Sequence, residues 1–272
     1  MITRIITGVI LVVFILIPGI LLSGTFVLPV LCALLSGIAV YEIVKCFGQR
    51  NINAILIPSM AVGTCVPIVL RYTFFENDLF LAAALMTVYV FYMFALTVFT
   101  NNNISIDDVA KTALMTVYIS TGFGSIVLLR DLENGEYLFI LAIIGAWITD
   151  IFAYFTGMLF GKHKLSPVIS PKKTVEGSIG GVILCTLCFV LYGFVLSEHF
   201  SVELNPIMFA VIGFFASLVS QLGDLTASAV KRKYGTKDYG TIFPGHGGVL
   251  DRFDSIIAVA PVLYLLCYIA AK

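Results

Sequence analysis

The sequence predicts an all-α, polytopic integral membrane protein with about nine transmembrane helices. Of its 272 residues, 60% are hydrophobic and only 12% are charged, whereas soluble domains typically carry about 25% charged residues. The mean hydropathy is +1.04. Because roughly 20 mostly apolar residues cross the hydrocarbon core of a bilayer as a helix, this composition favours many membrane spans and leaves no stretch that resembles a soluble domain.

Nine apolar segments are long enough to be spans. They are residues 5–22, 26–45, 53–70, 79–100, 109–129, 138–160, 178–197, 206–229 and 255–271. No formal charge lies between Arg4 and Glu42, and at ~1.5 Å per residue this stretch accommodates two spans with a hairpin at residues 23–25. The first apolar run is longer than a signal-peptide core and lacks a clear small-x-small site, which favours a span over a cleaved signal.

The distribution of positive charge predicts the orientation. With a cytoplasmic N-terminus and alternating sides, all 16 Lys and Arg residues fall inside except Arg71, Arg130 and Lys272, as the positive-inside rule expects. We therefore predict a multi-pass protein of the cell membrane. The polar loops in the second half of the chain are predicted to face the cytoplasm. The formal net charge of zero hides this asymmetry and does not inform on partners. We predict no nucleic-acid partner.

Polar residues are distributed unevenly along the chain, which we treat as a single transmembrane domain over residues 1–272. Residues 1–135 are mainly membrane scaffold, since their few charges lie at span ends or in loops, where snorkelling or solvent explains them. Residues 136–272 form the predicted catalytic half. Cys185 and Cys188 have CxxC spacing, but their apolar surroundings favour buried helix residues over a metal or redox pair.

Two polar clusters open the second half. Asp150 lies well inside the sixth predicted span, where an ionisable side chain is costly and is a functional candidate; the alternative is a structural partner for a nearby Lys or Tyr. The loop at residues 161–177 contains two prolines that stop a helix. We expect its rigid turn to present Lys172 and Lys173, with the hydroxyls of Ser170 and Thr174, to a polyphosphate or a lipid phosphate.

A third cluster ends the eighth predicted span. Gln221, Asp224 and Ser228 are spaced i, i+3, i+7 and therefore share one helix face, which must look into a cavity or a bundle interior because lipid would not accept it. Asp251 and Asp254 are also three residues apart. If the last helix begins near Asp251, its N-terminus favours an anion while the two carboxylates favour a divalent cation.

The stretch between these carboxylates, residues 228–254, reads SAVKRKYGTKDYGTIFPGHGGVLDRFD. Carboxylates that bind an ion, cations that bind phosphates, and glycines that let backbone N–H groups approach oxygen atoms are the parts of a metal-assisted phosphate site. The candidate phosphate-binding side chains and glycines of this stretch are Ser228, Lys231, Arg232, Lys237, Gly247, Gly248 and Arg252, together with His246.

Residues 228–254 strongly resemble the signature of the phosphatidate cytidylyltransferases, also called CDP-diacylglycerol synthases. The matching positions are Ser228, Lys231-Arg232, Lys237-Asp238, Gly240, Phe243-Pro244-Gly245, His246-Gly247-Gly248 and Asp251-Arg252-Phe253-Asp254. The segments Ser170-Pro171-Lys172-Lys173-Thr174, Glu176-Gly177 and Gly223-Asp224 are similar to the other motifs of that family. Chain length and span count agree with the family, whereas the first half carries no diagnostic motif.

The resemblance implies that CTP and phosphatidate react to give CDP-diacylglycerol and pyrophosphate at the cytoplasmic face. It further implies Mg²⁺, a second metal position and a homodimer among membrane lipids. We assign Asp224, Asp251 and Asp254 to metal binding and catalysis. His246 contacts phosphate or protonates the leaving oxygen in this interpretation, since the pKa class of histidine allows either role.

Two alternatives stay open on the sequence alone. The first is a CTP-dependent enzyme that acts on another lipid phosphate or on a polyprenol, because apolar spans do not reveal acyl-chain pockets. The second is an ion-coupled transporter in which Asp150 and Asp224 relay ions or protons. A transporter leaves the charged, glycine-rich stretch at residues 228–254 without a role, which favours the enzyme.

Overall fold

A computed structural model of the chain describes residues 8–9, 12–48, 52–71, 78–101, 103–200 and 206–270. The described parts are helical apart from turns and one short hairpin, as the all-α class predicts. Among them, seven helices are long and apolar enough to cross a membrane. The chain divides into two compact units, Met1–Asp131 with Lys233–Phe253, and Leu132–Arg232 with Asp254–Lys272.

The first unit contains the N-terminal helices and the stretch at residues 233–253. A π-helical turn, Val12–Leu16, continues into α1; the α-helices are α1 Ile17–Leu21, α2 Val27–Cys46, α3 Ile52–Val69, α4 Asp78–Phe99 and α5 Ile106–Asp131. Helices α2, α3 and α5 pack on one another and α4 lies against α3 and α5. Their shared core is built from apolar side chains such as Ile43, Ile55 and Phe123, all of which are fully buried.

The second unit contains two long helices joined by a hairpin. Its elements are α6 Gly135–Phe160, β1 Lys164–Ser166, β2 Ser170–Thr174, α7 Val175–Phe200 and α8 Pro206–Lys233, and it also includes residues 254–270 of α9, which is Leu250–Ala270. Small residues let α6 and α7 approach closely. A Cβ on Gly177 would lie 2.5 Å from the carbonyl oxygen of Ala153 and 3.0 Å from the Cα of Gly157.

The helices follow the predicted spans closely, and a turn occupies the predicted hairpin at residues 23–25. Helix α3 is shorter than the helices that meet the length criterion for spanning, and the count of nine spans stays a prediction. The predicted charges Arg4, Arg50 and Lys272, and the first residues of the span 5–22, lie outside the described residues.

Helix α8 continues beyond its predicted end at residue 229. It includes Lys231, Arg232 and Lys233, which lie beyond the predicted span. Lys and Arg are good helix formers and interact favourably with the C-terminal end of the helix dipole. The helix ends where Gly235 adopts a positive φ of 67°, the conformation that glycine provides after a helix C-terminus.

Candidate active site

The loop at residues 161–177 forms an antiparallel hairpin in which Lys164 pairs with Thr174 and Ser166 with Ser170. The predicted absence of helix is confirmed, and the prolines are accommodated at its turn and in β2. The Thr174 hydroxyl accepts a hydrogen bond from the Gly177 N–H at 3.1 Å, so Thr174 caps the N-terminus of α7. Ser170 begins β2. The hairpin therefore places Lys172 and Lys173 at the start of α7.

A cavity of about 490 Å³ in the second unit gathers six of the predicted site residues: Asp150, Lys172, Lys173, Thr174, Gln221 and Asp224. The Lys173 ammonium group lies 2.5 Å from Asp224 Oδ2 and 4.0 Å from Asp150 Oδ1. The side chains of Lys173 and Asp224 are only 23% and 26% exposed. The two carboxylates thus flank one cation at the wall of the cavity, and Asp150 has the lysine partner that the sequence left open.

The polar face of α8 is turned into the unit, as its spacing predicts. Gln221 Oε1 accepts a hydrogen bond from the Ser178 hydroxyl at 2.5 Å, and Gln221 Nε2 donates to the Ser178 carbonyl oxygen at 3.2 Å. These two bonds join α8 to α7 next to the cavity. Gln221 is buried and Asp224 and Ser228 are partly buried, whereas Leu222 is 63% exposed on the opposite side.

Asp254 and the basic end of α8 belong to the same unit. Asp254 is 8% exposed, and its Oδ1 accepts the Ser255 N–H at 2.7 Å. The Asp254 carboxylate is repelled electrostatically by the Asp224 carboxylate and attracted by the Lys231 ammonium group. Arg232 donates from Nε to the Ile169 carbonyl oxygen at 3.4 Å, so it contacts the connection between the two strands.

The first unit contains the glycine-rich turn. The His246 N–H donates to the Phe243 carbonyl oxygen at 2.8 Å, which closes a four-residue turn. Pro244 is the second residue of this turn, and Gly245, with a φ of 79°, is the third. This is the arrangement of a type II turn, which requires a positive φ at its third residue. Gly247, at a φ of 86°, returns the chain so that the Phe243 N–H donates to the Gly247 carbonyl oxygen at 2.9 Å.

Two side chains of α9 hold this turn. Asp251 Oδ2 accepts the Tyr239 N–H at 2.7 Å and the Gly248 N–H at 2.9 Å, and Arg252 Nε donates to the His246 carbonyl oxygen at 2.7 Å. Asp251 therefore shapes the loop through one of its oxygens, a role that the sequence did not reveal. Helix α9 begins at Leu250, which confirms the predicted start near Asp251, and Lys237 is exposed in the loop.

Glu42 also belongs to this region, although its place in the sequence did not predict a role there. We had explained it by its position near a span end, whereas it is 2% exposed. Its Oε1 accepts the Val249 N–H at 3.0 Å and its Oε2 accepts the Leu250 N–H at 2.9 Å. Such charge-assisted bonds stabilise by about 1.5–3 kcal/mol each. Glu42 was an ionisable residue inside a predicted span, the same signal that identified Asp150.

Within the described ranges, no three His, Cys, Asp or Glu side chains form a group that could hold a metal ion, so the assignment of Asp224, Asp251 and Asp254 to metal binding stays a prediction. The donor chemistry of the second unit does fit Mg²⁺. Carboxylate oxygens of Asp150 and Asp224 flank the ammonium group of the Lys173 side chain, and Mg²⁺ prefers carboxylate oxygens.

Comparison with known proteins adds a finding that covers almost the whole chain. Residues 2–270 match the model of the Cytidylyltransferase family. The chain belongs to this family. The protein is accordingly a nucleotidyltransferase of the membrane-spanning kind, which agrees with the resemblance on residues 228–254.

Individual members of the family are similar over more than nine-tenths of their length. The chain is 33% identical to the phosphatidate cytidylyltransferase of Bacillus subtilis (strain 168) over 267 residues, which is 97% of this chain and 96% of that protein. It is 36% identical to the phosphatidate cytidylyltransferase of Staphylococcus saprophyticus over 250 residues, 91% of this chain and 92% of that protein. The Staphylococcus aureus (strain COL) protein of the same name is 35% identical over 251 residues.

Proposed function

We propose that this protein is a phosphatidate cytidylyltransferase, which transfers the cytidylyl group of CTP to phosphatidate and yields CDP-diacylglycerol and pyrophosphate. The observation that carries the proposal is the family match over residues 2–270, together with full-length relatives of that name. The cavity of the second unit supports it, because its cations and carboxylates are suited to phosphate chemistry.

The reaction is an in-line displacement at phosphorus. A phosphatidate oxygen attacks the α-phosphorus of CTP, the bond from that phosphorus to the bridging oxygen breaks, and pyrophosphate leaves with this oxygen. The attacking group is already an anion, so no strong general base is required. The need is to bring two polyanions together and to stabilise the charge that they share in the transition state.

Lys172 and Lys173 are the cations that we assign to this task in the second unit. Asp224 holds the Lys173 ammonium at the cavity wall, so the charge is oriented before any phosphate binds. Tyr154 and Met158 of α6 also line the cavity and are 67% and 61% exposed. A lipid phosphate can therefore meet the lysines while its acyl chains lie along apolar side chains.

The remaining assignments come from the resemblance. Asp224, Asp251 and Asp254 are the proposed Mg²⁺ ligands, and bound Mg²⁺ supplies positive charge that neutralises the CTP phosphates. His246 is held by its backbone in the type II turn, which gives it a fixed position for contact with phosphate. A second metal position, a homodimer and an active site on the cytoplasmic face of the cell membrane complete the proposal.

The test uses purified protein in detergent with labelled CTP, Mg²⁺ and a panel of phosphatidate, polyprenyl phosphate and polyprenol. We expect CDP-diacylglycerol and one pyrophosphate per product. A labelled product with polyprenyl phosphate or polyprenol, and none with phosphatidate, would favour the related CTP-dependent enzyme. Folded protein that forms no lipid-nucleotide product, but conducts ions in proteoliposomes without CTP, would favour the transporter.

A further inference from the structure

Helix α9 begins without a capping side chain of its own. The residues before Leu250 are Gly248 and Val249, neither of which offers a side-chain acceptor, although the first N–H groups of a helix have no partner within it. The cap comes instead from α2. Glu42 accepts the Val249 N–H at 3.0 Å and the Leu250 N–H at 2.9 Å, one with each carboxylate oxygen.

The glycines of the loop are fitted to this carboxylate. An ideal Cβ on Gly240 or on Gly248 would collide with the Glu42 carboxylate group. Glu42 itself is buried at 2% exposure. Two separate parts of the loop therefore lie directly against one side chain, and a methyl group at either glycine would force the Glu42 carboxylate to shift.

Glu42 and Asp251 divide the backbone donors of the loop between them. Asp251 Oδ2 accepts the N–H groups of Tyr239 and Gly248, and Glu42 accepts the next two, from Val249 and Leu250. Three consecutive N–H groups are thus fixed immediately after the turn that carries His246. A shift of the Glu42 carboxylate would move this turn and the start of α9 together.

We propose that Glu42 is a positioning residue for the cytidylyl transfer. Its carboxylate caps α9 and fixes the glycine-rich turn at residues 243–248, and through them it sets the position of His246 and Asp251. This inference rests on the proposed function, since it assigns the turn to that reaction. Displacements of about 1 Å in a catalytic group can cost about 100-fold in rate, so we expect the larger effect on kcat.

The experiment compares Glu42→Gln with wild type and with Ser36→Ala, a matched control on the same helix whose side chain is also fully buried. Gln keeps the shape of Glu but turns an amide NH₂ towards one of the two backbone donors. We expect Glu42→Gln to lower kcat by roughly 10- to 100-fold with KM for CTP changed less than threefold. Ser36→Ala retains wild-type kcat.

Hydrogen exchange supplies a readout that does not require activity. We expect Glu42→Gln to increase amide exchange in peptides that cover residues 245–250 and to leave peptides from α5 unchanged. Unchanged exchange in those peptides, or a folded Glu42→Gln variant with wild-type kcat, overturns the proposal. If wild type and Ser36→Ala are themselves inactive with every acceptor, the proposed function fails while the exchange result still decides the role of Glu42.

A second perturbation comes from the loop and leaves the charge of Glu42 in place. Gly240→Ala inserts a methyl group against the carboxylate, and we expect it to lower kcat by a larger factor in the wild-type background than in a Glu42→Ala background. Coupled residues show such non-additivity, whereas independent residues do not. Wild-type kcat in Gly240→Ala, or strictly additive losses in the double variant, would contradict the positioning role of Glu42. This test does not depend on whether the Glu42→Gln variant folds.

Discussion

Replacing Asp224 by Asn separates the catalytic role of this carboxylate from its structural one. Asn keeps the shape of the side chain and removes the charge that lies 2.5 Å from the Lys173 ammonium. The two side chains are about three-quarters buried. The stability cost of removing the carboxylate therefore lies between that for an exposed ion pair, up to about 1 kcal/mol, and that for a fully buried pair, about 3–5 kcal/mol. We expect a cost of about 1–2 kcal/mol in stability, or roughly 2–8 °C in Tm.

The expected loss of turnover is larger than the loss of stability explains. If Asp224 also acts on the reacting phosphates through the metal, Asp224→Asn loses at least ~100-fold in kcat, which is about 2.7 kcal/mol of transition-state stabilisation. It also raises the Mg²⁺ concentration needed for half-maximal activity. Both quantities are measured on the same purified variant, by thermal unfolding in detergent and by release of pyrophosphate from CTP.

One control variant, and a second change at the same lysine, make the result interpretable. Asp108→Asn removes the carboxylate of another ion pair, Lys111–Asp108, which spans 2.6 Å with both side chains 28% exposed; it should cost similar or less stability and no turnover. Asp150→Asn removes the longer, 4.0 Å contact to Lys173. The Coulomb energy of that contact is roughly 0.6 of the energy at 2.5 Å, so its removal should cost less stability than Asp224→Asn. Wild-type turnover in folded Asp224→Asn would refute the catalytic role and leave a structural counter-ion.

The remaining predictions concern metal and topology. EDTA should abolish activity and Mg²⁺ or Mn²⁺ should restore it, because carboxylate oxygens suit such ions. Asp251→Asn and Asp254→Asn should each lose at least ~100-fold in rate while remaining folded. Near-normal turnover in both variants would place the metal elsewhere. In a background without the six native cysteines, cysteines at Lys164 and Lys237 should react with impermeant thiol reagents only from the cytoplasmic side, and one at Glu133 only from outside. Labelling of the first two from opposite sides would contradict the predicted topology.

Apolar length alone predicted the positions of the helices well, because the hydrocarbon thickness sets a length that each span must meet. The ends were less accurate where polar residues continue a helix. Helix α8 extends through Lys233 because Lys and Arg favour helix, and Gly235 was the stop signal that a closer reading of helix ends would have used. The strands of the hairpin were not predicted, since two prolines exclude helix without specifying which residues pair.

Within the site, residue types were predictable and their partners were not. The polar groups on one face of α8 predicted that this face looks into a cavity or a bundle interior, and Gln221 and Asp224 do line a cavity together with the hairpin lysines. Yet Gln221 pairs with Ser178 on α7, and Lys173 with Asp224. Each partner is set by the relative placement of helices that are distant in sequence, and helical periodicity carries no information on that placement.

Glu42 and Asp150 show why depth in a span is a poor guide to burial. Both are carboxylates inside predicted spans; the one near the middle of its span, Asp150, has a side chain that is 47% exposed to a cavity, and the one near an end, Glu42, is 2% exposed. What determines the burial of Glu42 is a set of backbone N–H groups elsewhere in the chain that need an acceptor. Helix α9 starts after Gly-Gly-Val and has no local cap, so its first N–H groups require a distant acceptor. An uncapped helix start that follows a glycine-rich turn, in a chain with a carboxylate near a span end, is therefore a sequence signal for pairing the two.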